Sequence, residues 1–254
     1  MMRIKWHRSD TTGSTNTYLM GLNGGDPEFD MEIAVAGFQT AGHGQRGNTW
    51  ESQPGKNLLF SILAHPSAVE ASRQFFISQA MALAVSDCVR ESLGPGLGQH
   101  VSVKWPNDIY WKDFKMAGIL IEHSVMGRCI QHTVAGVGLD VNQTVFEGDA
   151  PNPVSMAAVA GHEFELEPLL QSIVGRFVHY MEQSTESGMR NIDALYHERM
   201  YRKNGIHRFR DAQGEFLASI SHVEPNGCLV LETDGGEPRT YEFKQVQFVI
   251  PSKK

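Results

Sequence analysis

The 254 residues carry 41% hydrophobic side chains, enough to bury a sizeable core in one large domain, or in one large and one small. A formal net charge of -7, from 22 basic and 29 acidic residues, disfavours nucleic acid as a partner. No leader-like apolar core follows Met1, no window approaches the roughly 18 apolar residues of a membrane span, and Cys88, Cys129 and Cys228 are too scattered for a disulfide framework or a structural zinc site. A soluble, cytoplasmic protein away from membranes is expected.

In chain order, Ser14-Thr15-Asn16 precedes a short apolar run, as at a helix start where free backbone N–H groups need acceptors; capping and ligand binding explain these residues about equally well. Residues 32–39 read as a mostly buried strand with Gln39 at its exit. Residues 40–56 contain four glycines and no hydrophobic periodicity, so they form a long loop whose backbone could approach a phosphate. A dinucleotide fold would need a helix straight after those glycines; Trp50, Pro54 and then a strand at 57–65 follow instead, which excludes it. Residues 70–93 form a long core helix ended by Gly94-Pro95-Gly96.

Residues 103–122 hold the densest chemistry. Strand alternation is interrupted by Pro106 and the pair Asn107-Asp108, and two apolar runs resume around Lys112-Asp113-Phe114, which gives a loop feeding a β-hairpin. Pro106 fixes the loop where Lys104, Asn107 and Asp108 present polar ends, with Lys115 on the hairpin. A further strand at 128–143 contains Gly136 and Gly138, which mark either packing or a close backbone approach. Helices are expected at 154–160, 168–182 and 191–201. From Gly205 the pattern changes to short strands at 206–210, 216–223, 228–232 and 240–248, separated by turn residues. The fold class is therefore α+β, with a larger domain over 1–204 and a small β domain over 205–254.

With these pieces in order, the sequence resembles the biotin protein ligases in their short form, without an N-terminal helix-turn-helix domain. The likeness rests on Ser14-Thr15-Asn16, Gln39-Thr40-Ala41-Gly42, the glycine loop ending in Trp50, Lys104-Trp105-Pro106-Asn107-Asp108, Lys115-x-Ala-Gly118-Ile-Leu, Gly136-x-Gly138 and the β-rich tail. It implies a central mixed sheet with helices packed on it and an SH3-like C-terminal barrel. It implies ATP-dependent activation of biotin to biotinyl-5′-adenylate, with Mg²⁺ accompanying ATP, then transfer to a lysine of a biotin carboxyl carrier domain.

The resemblance places Ser14, Thr15, Asn16 and Gln39 against biotin and Lys115 between the biotin carboxylate and the phosphate. It makes Lys104, Asn107 and Asp108 a supporting cation and orienting groups, with Asp108 or Asn107 the candidate metal ligand. Gly42, His43, Gly44, Gln45, Arg46, Gly47 and Trp50 form the ligand loop, Gly118 leaves room beside the ligand, Gly138 joins the binding set, and Asp140 lies near adenine. The loop departs from the family's Gly-Arg-Gly-Arg-x-Gly-Arg-x-Trp: His43, Gln45 and Asn48 stand at the arginine positions. Gly13 replaces an acidic residue often found before Ser-Thr-Asn, and Asp140 replaces an asparagine. The rivals are a lipoate or octanoate ligase or transferase and a catalytically weakened biotin-binding homologue. DNA binding is not expected, since too little chain precedes Ser14 and the protein is acidic; a homodimer is left open.

Overall fold

The computed structural model describes residues 2–44, 49–148 and 152–250. Strand β1 (Ile4–Thr12), helix α1 (Thr15–Met20) and strands β2 (Met31–Gln39) and β3 (Leu58–Ala64) come first. Helix α2 (Phe75–Gly98) leads to β4 (Val101–Lys104), the hairpin of β5 (Asp108–Trp111) and β6 (Phe114–Met126), and β7 (Cys129–Leu139). Helices α3 (Met156–Ala160), α4 (Leu166–Met181) and α5 (Glu186–Arg199) precede β8 (His207–Asp211), β9 (Gly214–Val223), β10 (Leu229–Thr233), β11 (Pro238–Tyr241) and β12 (Gln247–Phe248).

The first seven strands form one sheet in the order β1-β2-β3-β7-β6-β5-β4. Only β1 and β2 run parallel, with α1 in the connection between them; the other neighbours are antiparallel, so the sheet is mixed. β3 is buried along its whole length, which explains its near-continuous apolar run Leu-Leu-Phe-Ser-Ile-Leu-Ala. β1 was not expected from the sequence. It is an edge strand, half-buried to exposed, and its Lys5, His7, Arg8 and Asp10 break the apolar alternation as charged edges do.

The two faces of this sheet differ in cover. α2 is apolar nearly all round because it lies between the sheet and the helices α4 and α5, and these elements make the main core with Phe60, Ile77, Met81, Leu83, Phe177 and Tyr196. Among the described helices the opposite face carries α1, whose Leu19 packs on Ala34, Leu63 and Val134. Beside that short helix the face stays open. α2 begins at Phe75, after a 3₁₀ turn at Ala71–Arg73, and Gly94 (φ 72°) interrupts it as expected before a last turn reaches Gly98.

β8 to β12 form a second, antiparallel sheet ordered β11-β10-β9-β8-β12. The single strand expected at 240–248 is split between the two edges of this sheet. The chain turns at Lys244 (φ 70°), with the Gln245 amide donating to the Glu242 carbonyl at 3.0 Å. This sheet packs on the loop between β4 and β5: Trp105 Nε1 donates to the Gly227 carbonyl at 2.9 Å and its ring meets Phe243 edge-on at 6.1 Å.

Gly227 has φ 94°, and a Cβ there would lie 2.8 Å from the Phe75 ring. Gly227→Ala should therefore lower the unfolding free energy by about 1–3 kcal/mol in urea titrations. Gly96→Ala, which meets nothing within 4 Å, should stay within about 0.5 kcal/mol of the parent.

Candidate active site

The open face of the main sheet is lined by alternate residues of its central strands. Gly118 of β6 pairs with Gly138 of β7, and Ser61 of β3 pairs with Gly136. Because side chains alternate along strands, Gly136 and Gly138 point to one face, where they expose bare backbone. A Cβ on Gly136 would sit 1.9 Å from Asn16 Oδ1, and one on Gly138 would sit 2.4 Å from the Trp50 indole. A Cβ on Gly118 would sit 3.0 Å from the same indole. The glycines are thus required by close approach, and the Trp50 ring packs against Gly118 and Gly138 of the floor they make.

At one end of this floor stands a buried polar cluster. Ser14 caps α1, accepting from the Thr17 amide at 3.4 Å, while Thr15 and Asn16 turn inward. All three are buried. The Thr15 amide and hydroxyl both donate to Gln39 Oε1, at 2.7 and 3.1 Å. Asn16 Nδ2 donates to Glu122 Oε2 at 2.8 Å and to the Leu120 carbonyl at 3.3 Å. The Ser61 hydroxyl lies 2.6 Å from Asn16 Oδ1 and 2.7 Å from Thr15 Oγ1, within reach of either acceptor. With Gln39 Oε1 held by Thr15, its Nε2 is left as the group that can donate to a ligand. Ser61 and Glu122 were not singled out in the sequence. For Ser61 the available signal was a polar residue inside an otherwise apolar strand, since such residues are rarely buried without a partner.

At the other end lie the charges. Lys115 Nζ is 2.7 Å from Asp108 Oδ1 and 5.6 Å from the centre of the Trp50 ring, and its side chain is 30% exposed. Lys104 Nζ is 3.8 Å from Asp108 Oδ2, held over the rings of Tyr110 and Phe248 at 5.1 and 5.3 Å. Burial holds the Lys104 ammonium below its usual range, against the opposing pull of Asp108. Lys104 does not line the cleft; it reaches the ligand space only through Asp108. Asn107 Nδ2 donates to the Ile119 carbonyl, which leaves its amide oxygen for other partners.

Between these ends is a cleft of about 130 Å³. Ser14, Thr15, Asn16, Gln39, His43, Gly44, Trp50, Asn107, Asp108, Lys115, Gly118 and Gly138 all line it. So does Phe243, contributed by the second sheet and not expected from the sequence. Gly42 sits just outside, where its carbonyl accepts from the Trp50 amide at 3.0 Å and closes the base of the glycine loop. His43 pairs with Thr49 across the same loop; Gln45, Arg46, Gly47 and Asn48 are outside the described residues. Asp140 lies one strand position beyond the lining glycines, buried, with Oδ1 accepting from Asn57 Nδ2 at 2.9 Å. Trp50 Nε1 is buried with no hydrogen-bond partner among the described residues, a donor facing the cleft's own walls.

The arrangement offers fixed neutral hydrogen-bonding groups at one end and an ammonium at the other. It suits an elongated ligand with a polar, uncharged head and an anionic tail. Against this geometry, the biotin/lipoate A/B protein ligase family matches residues 9–140, just over half of the chain. The chain belongs to that family. Among curated relatives, the bifunctional ligase/repressor BirA of Bacillus subtilis is 26% identical over 215 residues, 82% of this chain but 64% of its own length. The chain thus spans under two thirds of that relative. The biotin--[acetyl-CoA-carboxylase] ligase of Paracoccus denitrificans is 28% identical over 236 residues, 90% of this chain and 93% of that protein. The solved biotin protein ligase from Aquifex aeolicus in complex with biotin and ATP superposes with a TM-score of 0.76 at 21% identity, covering 98% of this chain and all of that one, and so shares the fold. The mixed sheet with packed helices is what the resemblance implied, while the C-terminal part, expected as a barrel, is an antiparallel sheet with β11 and β12 at its two edges.

Ser61→Ala removes the hydroxyl donor shared by Asn16 and Thr15 inside a buried cluster. It should cost about 1–3 kcal/mol of stability in denaturant titrations, and an undiminished midpoint would show that the cluster is solvated instead.

Proposed function

We propose that this family member is an ATP-dependent biotin protein ligase. The observation that carries the reading is Lys115, held by Asp108 at one end of a cleft whose other end is the Thr15, Asn16 and Gln39 cluster. The names of the Paracoccus and Aquifex relatives support it. In this reading the neutral cluster takes the ureido head of biotin and the glycine floor takes its fused rings. The valeryl carboxylate then reaches Lys115.

A carboxylate oxygen attacks the α-phosphorus of ATP, the bond to the β-phosphate oxygen breaks, and pyrophosphate leaves. Two anions must approach for this step, and the Lys115 ammonium offsets their repulsion and the charge that develops on the phosphoryl oxygens. Asp108 orients that ammonium, and Lys104 in turn holds Asp108. In the second step the amine of a carrier-domain lysine attacks the acyl carbon, AMP departs, the nitrogen loses a proton, and an amide is formed. Trp50 and the glycine loop cover the mixed anhydride and limit its loss to water.

Magnesium enters with ATP as part of the substrate. Asp108 is already engaged by both lysines, and no group of three or more metal-capable side chains occurs among the described residues. Asn107, whose amide oxygen lines the same end of the cleft, would be the protein group to hold a magnesium ion that offsets the charge of the phosphates.

Lys115→Ala should reduce biotin-dependent pyrophosphate release by at least about 100-fold, the scale of losing one charge-stabilising group, with little change in the thermal midpoint. Labelled biotin should pass from wild type to a biotin carboxyl carrier domain only with ATP. Pyrophosphate release driven by lipoate but not biotin would replace the substrate, and near-parental release by the variant would remove Lys115 from its role.

A further inference from the structure

Two carboxamides stand at the neutral end of the cleft, and each is held in one direction. For Asn16 the direction follows from what its nitrogen meets. Nδ2 donates to Glu122 Oε2 at 2.8 Å and to the Leu120 carbonyl at 3.3 Å, and a carboxylate and a carbonyl can only accept. Oδ1 therefore lies on the other side, 2.6 Å from the Ser61 hydroxyl and so close over Gly136 that a Cβ there would sit 1.9 Å away. Asn16 and Gly136 both line the cleft, and Glu122, partly buried, follows on β6 after Leu120, the strand partner of Gly136. Gln39 is turned the opposite way: its Oε1 takes the Thr15 amide and hydroxyl, so its Nε2 is the end left to donate.

Reversing the Asn16 amide would set its oxygen against the Glu122 carboxylate and the Leu120 carbonyl, acceptor against acceptor at both contacts. Ser61 does not choose between the two orientations, because a hydroxyl can donate to an amide oxygen or accept from an amide nitrogen. The Leu120 bond is the longer one, so the shorter, charge-assisted bond to Glu122 decides the direction. The neutral end of the cleft thus presents a donor at Gln39 and an acceptor at Asn16. A ring amide or cyclic urea, with a carbonyl beside an N–H, satisfies both. A dithiolane ring has neither group and would leave both carboxamides unpaired, which is the kind of mismatch that polar sites reject most strongly.

We propose that Glu122 is a specificity-determining positioning residue: by holding the Asn16 carboxamide it keeps an acceptor, and not a donor, turned to the head of the ligand, and the site therefore demands a ring N–H. Glu122 acts through Asn16 without touching the ligand. This deepens the ligase reading above and rests on it, since the ureido ring of biotin supplies that N–H. Without Glu122 the amide is free to turn, and a turned Asn16 would set its NH2 against the ureido N–H, donor against donor. Biotin would then lose the advantage that its N–H gives it over a ring lacking one.

The test measures, by titration calorimetry, the binding of biotin and of its two cyclic-carbamate analogues, in each of which one ring N–H is replaced by oxygen. Wild type is compared with Glu122→Met, which keeps the length but removes the acceptor, and with Glu122→Gln, which keeps an acceptor oxygen. Wild type should prefer biotin over one of the two analogues by roughly 5–100-fold, the scale of leaving one buried polar group unpaired. In Glu122→Met that preference should collapse because biotin binds more weakly while that analogue hardly changes, and Glu122→Gln should restore most of it. In pyrophosphate release the KM for biotin should rise in Glu122→Met while kcat at saturating biotin stays near the parental value. If Glu122→Met fails to fold, Glu122→Asp, which withdraws the carboxylate by one methylene, takes its place in the same comparison. Equal losses for biotin and both analogues, an undiminished preference in the variant, or a wild type that binds all three alike would overturn the role of Glu122 while leaving the ligase reading intact. A wild type that neither binds biotin nor releases pyrophosphate with it would overturn the ligase reading, and this role with it.

Discussion

The contact of an indole and a carboxamide with bare backbone sets the terms for the rest of the site. Gly118, Gly136 and Gly138 are placed by strand register, so the floor is a property of how β6 and β7 pair and not of any loop. A slip of one residue would turn β-branched and leucine side chains into the cleft and push out both Trp50 and Asn16. The full burial of β3 and the helices on the far face hold that register. The core thereby determines the width of the ligand space, although almost none of its side chains touch it.

Charge is arranged by a similar division of labour. Lys115 is partly exposed and close to the ligand space, while Lys104 is buried behind it under two aromatic rings. Asp108 lies between them, with Lys115 at 2.7 Å on the cleft side and Lys104 at 3.8 Å on the inner side. Removing the inner lysine would leave Lys115 as the only close cation on Asp108 and bind it more firmly there, so less of its charge would reach an incoming anion.

The sequence showed clearly whatever depends on local pattern. The apolar run of β3, the hairpin around Lys112 (φ 53°) and the break at Gly94 each follow from residues within a few positions. The motif residues that line the cleft were legible because several motifs occur in a fixed order. β1 was hidden because an edge strand has one neighbour and can be polar along most of its length. Ser61 and Glu122 were hidden because their partners, Asn16 and Thr15, lie far away in the chain and only strand pairing brings them together. Phe243 lies in the turn between β11 and β12, and no periodicity in its own segment marks it as part of a cleft.

The bond from Trp105 to Gly227 gives the second sheet a mechanical part in the site. The loop that presents Asp108 has no regular pairing of its own at Pro106, and it is braced from outside by Trp105 on Gly227 and by Tyr196, whose hydroxyl donates to the Pro106 carbonyl at 3.0 Å. Rigidity at the charged end of the cleft is therefore borrowed from elements more than eighty residues away in the chain. Local opening of the second sheet would loosen Asp108 before it disturbed the glycine floor, so the two ends of one ligand would be released in sequence and not together.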